Sequence, residues 1–108
     1  MKKYNISDFT GGWFIGWFEP TLKDTSRFEV GVKYYKAGDR ELKHYHRHAT
    51  EYTVIVIGKV RMNGVEYNEK DIIVIDPMDS TDFEVIEDTI TTVVKIPSVP
   101  GDKFLDTI

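Results

Sequence analysis

The stretch from Gly38 to Gly58, GDRELKHYHRHATEYTVIVIG, decides how this chain is read. It holds all three histidines of the protein, at positions 44, 46 and 48. In an extended strand, residues i and i+2 point to one face, about 7 Å apart. His44 and His46 can therefore aim two imidazoles into one space. Glu51 opens the next strand-like run, EYTVIVI, and can bring a carboxylate to the same point. Two neutral imidazoles and a carboxylate on one side of a metal suit non-haem iron, zinc, manganese or nickel. The plainer alternative is an exposed basic turn, because Lys43 and Arg47 flank the cluster. His48 shares strand parity with the other two, but the chain bends before Glu51, and we assign it to the surface.

Outward from this stretch the composition says β. The 108 residues include 22 Val and Ile and 10 Thr, against 3 Leu and 2 Ala. Side chains branched at Cβ are stiff and fit a pleated sheet better than a helix. Strand-like runs cover 12–18, 27–35, 41–46, 51–57, 60–62, 65–67, 71–75, 82–86 and 89–96. In the second of these, Phe28, Val30, Val32 and Tyr34 form an apolar face, and Glu29, Lys33 and Tyr35 the other. Gly58-Lys59 and Glu87-Asp88 read as turns, and Asn63-Gly64 as a two-residue hairpin. Short strands with frequent turns predict a sandwich, jelly roll or barrel in one domain, residues 1–108.

Several functions are excluded at this level. With no cysteine there is no disulfide, thiolate nucleophile or Cys-based metal site. A net charge of −4 argues against a nucleic-acid partner. No apolar run approaches the ~20 residues that span a bilayer, and Met1 to Asp8 carries no signal core. The expectation is a cytoplasmic protein with no membrane partner.

The spacing Gly38, His44, His46, Glu51, Gly58 resembles the first conserved motif of the cupin superfamily at each defining position. The second cupin motif is met in part. Pro77 holds its proline place, Asp71 and Asp79 stand where glycines are usual, and Asp82 stands where a last ligand, histidine, is usual. The match covers about residues 27–96. The resemblance implies an all-β, cupin-type double-stranded β-helix or jelly-roll barrel. It also implies that His44, His46, Glu51 and Asp82 hold a divalent transition metal: iron, manganese, zinc or nickel. Two carboxylates nearly neutralise such a cation and favour manganese or iron over copper. Phe83 and Val85 compete with Asp82 for the inward side of its strand, and the motif alignment favours Asp82.

Strand parity then predicts the pocket walls. Thr53 and Ile55 share the face of Glu51, Glu84 shares that of Asp82, Tyr34 belongs to the apolar face of its strand, and Met62 borders the hairpin. Such a cavity is small and mostly apolar with a polar end. It suits a small oxygen-bearing molecule, such as an organic acid or a sugar. Two classes of function stay open: a metal-dependent oxygenase, isomerase or lyase, and a metal-free cupin that binds a sugar or other small ligand without catalysis. The run 12–18 carries Trp13, Phe14, Ile15, Trp17 and Phe18 on both faces, and we expect it at a homodimer contact.

Overall fold

The β-branched runs form eight antiparallel strands in the computed structural model, which describes residues 1–107. These are β1 (Trp13–Ile15), β2 (Glu29–Tyr35), β3 (Arg40–Tyr45), β4 (Thr50–Met62), β5 (Val65–Asn68), β6 (Ile72–Ile75), β7 (Thr81–Ile96) and β8 (Phe104–Leu105). The only helical elements among the described residues are two short 3₁₀ turns, Ile6–Asp8 and Thr10–Gly12. No helix is long and apolar enough to cross a membrane. The expected all-β class is observed.

Two long strands organise the rest. β4 and β7 pair from Thr50 opposite Ile96 to Arg61 opposite Glu84 at the centre of one eight-stranded sheet, and each runs through both of its halves. The first half of β4 carries β6 and its second half carries β5. The second half of β7 carries β2 and then β1, and its first half carries β3 and then β8. The result is a jelly-roll barrel whose two walls share their central strands.

The expected turns at Gly58-Lys59 and Glu87-Asp88 are corrected, because both lie inside continuous strands. β4 bends through a bulge, where its register against β7 slips between Ile55 and Val60. Its inward residues accordingly change from Thr53 and Ile55 to Val60 and Met62, from odd to even numbers. Gly58 makes this possible: its φ is +104°, and a Cβ there would run into Thr89 and the Asp88 carbonyl. β7 keeps its parity throughout, burying Thr81, Phe83, Val85, Thr89, Thr91 and Val93.

Ile55, Val60, Met62, Ile75, Phe83 and Val85 pack as the core. Each such side chain contributes about 1.5–3 kcal/mol when fully buried. β2 presents the opposite face to the one an apolar interior would select. Phe28 and Tyr34 are exposed, Tyr34 at 65%, while Gly31 is buried and Lys33 and Tyr35 are half-buried. Two contacts decide this. Trp13 lies over Gly31 so closely that a Cβ would sit 2.7 Å from its ring, and Tyr35 packs against Phe83 with ring centroids 5.0 Å apart. The aromatic run 12–18 yields only the three-residue β1. Trp13 turns inward and Trp17 is 52% exposed.

Candidate functional site

A cavity of ≈ 150 Å³ lies between the two walls of the barrel. His44, near the end of β3, enters it with Nδ1 2.8 Å from the Leu42 carbonyl. A carbonyl only accepts, so Nδ1 carries a proton, and in the neutral ring Nε2 keeps its lone pair. His46 follows just beyond β3, its ring edge-on to that of His44 at 5.5 Å. It is 4% exposed, and its Nε2 has no hydrogen-bond partner among the described residues. Burial first, then Lys95 and His44, lower the His46 pKa to about 4, so the imidazole is neutral at ordinary pH. Glu51 enters from the start of β4, and its Oε2 accepts a hydrogen bond from Thr53 Oγ1 at 2.7 Å. The Oγ1 of Thr91, on the same cavity wall, is a second buried polar atom without a partner.

The backbone after His46 is held by a carboxylate far along the chain. Asp102 accepts N–H bonds from Arg47 at 2.8 Å, from His48 at 3.1 and 3.2 Å, and from Ala49 at 2.9 Å. Burial alone would raise the Asp102 pKa, but the N–H groups of Ala49, Arg47 and His48 outweigh it and hold the carboxyl below its ordinary value. From the other side, Met78 N–H donates to the His46 carbonyl at 2.7 Å.

Charged side chains complete the lining. Glu41 of β3 accepts from the Tyr35 hydroxyl at 3.2 Å and pairs with Lys103 at 3.5 Å. Burial and then Glu41 raise the Tyr35 pKa far above its ordinary value, so it remains a neutral donor. Lys33 of β2 and Lys95 of β7 place their Nζ atoms 5.5 and 4.9 Å from the centre of the Trp13 ring. Burial lowers the Lys33 pKa, opposed by Glu41 and assisted by Lys95 and Lys103.

Of the residues singled out from sequence, His44, His46, Glu51, Thr53 and Met62 line this cavity. Ile55 belongs to the packed core instead, and His48 is exposed. Asp82, Glu84 and Tyr34 are corrected. Asp82 points away from the barrel and its Oδ1 accepts the Asn63 N–H at 2.7 Å, closing the β4–β5 hairpin. Glu84 sits 3.6 Å from Arg61, outside the cavity. Phe83 and Val85 take the inward side, because burying two apolar side chains outweighs turning a carboxylate into the same space. Sequence reading missed Trp13, Lys33, Glu41, Thr91, Lys95, Lys103 and Asp102. The signal for Lys33 was its shared face with Glu29 and Tyr35; nothing local marks Asp102.

The two imidazoles have the chemistry of metal ligands, but the expected set does not fit a metal as it stands. Among the described residues no three His, Asp or Glu side chains gather closely enough to hold an ion. Glu51 is engaged by Thr53 and Asp82 lies elsewhere.

No protein-family model matches the chain, and no curated protein matches it in sequence. Solved structures do match. A Klebsiella pneumoniae protein with a double-stranded β-helix domain aligns over 99% of this chain and 93% of its own, with TM-score 0.72 and 17% identity. KdgF from Halomonas aligns over 69% and 74%, with TM-score 0.62 and 16% identity. An RmlC-like cupin from Shewanella frigidimarina aligns over 69% and 70%, with TM-score 0.63 and 18% identity. Such identities speak for fold alone, and together with the shared central strands they make this chain a small cupin in fold, a double-stranded β-helix built around a polar-ended cavity.

Proposed function

We propose that the protein binds a small oxygen-bearing molecule inside the barrel, at the end formed by His44, His46, Glu51 and Thr91. One observation carries this reading: two buried polar atoms, His46 Nε2 and Thr91 Oγ1, line the same cavity and have no partner among the described residues. Unpaired buried polar groups cost roughly 1–3 kcal/mol each, and a ligand that supplies the missing partners recovers that cost. The neutral His46 and the Glu51 carboxylate could also exchange protons with a bound molecule.

A second reading places iron, manganese, zinc or nickel on His44, His46 and Glu51. The free lone pair of His44 Nε2 and the orphaned His46 Nε2 favour it. It requires Glu51 to draw closer to the two imidazoles, which its second carboxylate oxygen can do while the first keeps the Thr53 bond. Metal analysis of protein purified without a histidine tag separates the two. Stoichiometric metal that His44→Ala and His46→Ala abolish establishes the second reading. Metal-free protein whose His46 responds to a bound small molecule establishes the first.

We also infer a homodimer. The outward faces of β4, β6 and β7 support it, where Tyr52, Ile72, Val74 and Ile96 are all exposed. Contiguous apolar surface of this kind marks interaction sites.

A further inference from the structure

Two ammonium groups in the cavity feel carboxylates only beyond ion-pair distance, Lys33 those of Glu41 and Glu51 and Lys95 that of Glu29. Lys33 and Lys95 converge on one indole, that of Trp13. Among the described residues neither has a carboxylate at ion-pair distance or a hydrogen bond. The nearby carboxylates are already engaged. Both oxygens of Glu41 are taken, one by Tyr35 and one by Lys103. Glu51 holds Thr53. Glu29, opposite Lys95 across the strands, accepts from Ser98 and lines an adjoining cavity.

Histidines aside, the cavity wall carries three lysines against two glutamates, a net charge of +1. A divalent cation would raise that charge, and an anion removes it. Half-buried like charges repel and are poorly hydrated, so an oxygen anion between them relieves both costs at once. Apolar walls at Phe83, Val93, Met62 and Ile75 leave room for a carbon skeleton. An apolar cavity of about 150 Å³ admits a molecule of benzene size. That is roughly six non-hydrogen atoms.

We propose that the bound molecule is a short-chain carboxylate, gripped at its carboxylate by Lys33 and Lys95 beside Trp13, with a further oxygen at His46 and Thr91. This rests on the cavity being the ligand site and names the chemistry it selects.

The test is a ¹⁵N NMR titration of the full chain with lactate and malonate, with their neutral counterparts lactamide and malonamide, and with inorganic phosphate. The reporters are the Trp13 indole N–H, assigned with Trp17→Phe, and the His46 ring. An acid should shift both and bind at least tenfold more tightly than its amide. Lys33→Met and Lys95→Met should each weaken the acid at least tenfold, while Lys36→Met, outside the cavity, should not. Equal binding of acid and amide overturns the proposal, as does acid binding that neither lysine variant weakens or tighter binding of phosphate. Amide binding that His46→Ala abolishes, without acid binding, overturns the anion but keeps the cavity as the site. No response to any probe at millimolar concentration overturns both. The acid–amide comparison uses wild-type protein and so does not depend on the variants folding.

Discussion

His46 is buried, neutral and held by its backbone, and these facts have a pH signature. Its folded pKa is about 4, while an unfolded histidine titrates near 6.5. Between those values the unfolded chain takes up a proton that the folded protein refuses. Ligand-free stability should therefore fall as pH drops from about 6.5 to 4, by up to about 3 kcal/mol. Urea unfolding at a series of pH values measures this, and His46→Gln should flatten the slope. Asp102 acts in the same direction at lower pH. Its depressed pKa gives stability that is present above the unfolded carboxyl value and lost as pH falls through the folded one. Asp102→Asn puts an amide NH₂ against N–H groups that need an acceptor. It should cost roughly 2–3 kcal/mol in thermal or urea unfolding. It should also broaden the His46 ring signals, because the following three residues lose their anchor.

At the level of strands, what the sequence revealed depended on what each face touches. β7 was readable because its inward face is apolar around Phe83 and Val85, so alternation marks it. That pattern was right where the motif alignment was wrong about Asp82. β2 was misread for the opposite reason. Its inward side borders a polar cavity and receives Lys33 and Tyr35, while its apolar side faces out. Hydrophobic alternation tells two faces apart, but it identifies the inner one only where the interior is oily. The bulge at Gly58 was hidden because a positive-φ glycine signals a turn as readily as a bend within a strand. The histidine pair and Glu51 were marked by their spacing together with the cupin-like motif; the lysines come from β2, the end of β7 and the tail before β8, which only the folded barrel brings together. The role of Asp82 as a hairpin clasp gives a direct check. Asp82→Ala should lower stability by about 0.5–1.5 kcal/mol through the lost Asn63 bond. Ligand or metal affinity should stay at the wild-type value. A large loss of binding at unchanged stability would return Asp82 to the site.

For the molecule as a whole, the outward apolar face matters most. Tyr52 lies opposite Val74 and Val94, and Val54 lies opposite Ile72, so these side chains form one continuous surface across three strands. Stable dimers bury about 800 Å² per partner. Analytical ultracentrifugation at micromolar concentration should show a dimer. Val74→Asp should dissociate it by placing a charge in a dry contact. Trp17→Asp tests the other expected contact, the run 12–18 with its exposed Trp17: dissociation by Trp17→Asp and not by Val74→Asp would place the dimer there. A wild-type monomer would rule out the pairing.

The sharing of β4 and β7 by both walls has a further consequence for traffic in and out of the barrel. The two layers are joined through the bends of β4 and β7 like the covers of a book at its spine, and among the described residues no ladder joins β1, β2 and β6 directly to β3, β5 and β8. His44, Glu51 and Thr81 lie at the ends of their strands away from those bends, so a molecule reaching His46 enters on that side. Near the cavity, the pieces with fewest ties are three-residue β1, which carries Trp13, and two-residue β8, which lies just after Lys103. Brief detachment of such short edge segments requires little free energy compared with unzipping β4 from β7. The threshold of the chamber is thus built from the least anchored parts of the chain, and its floor from the most anchored.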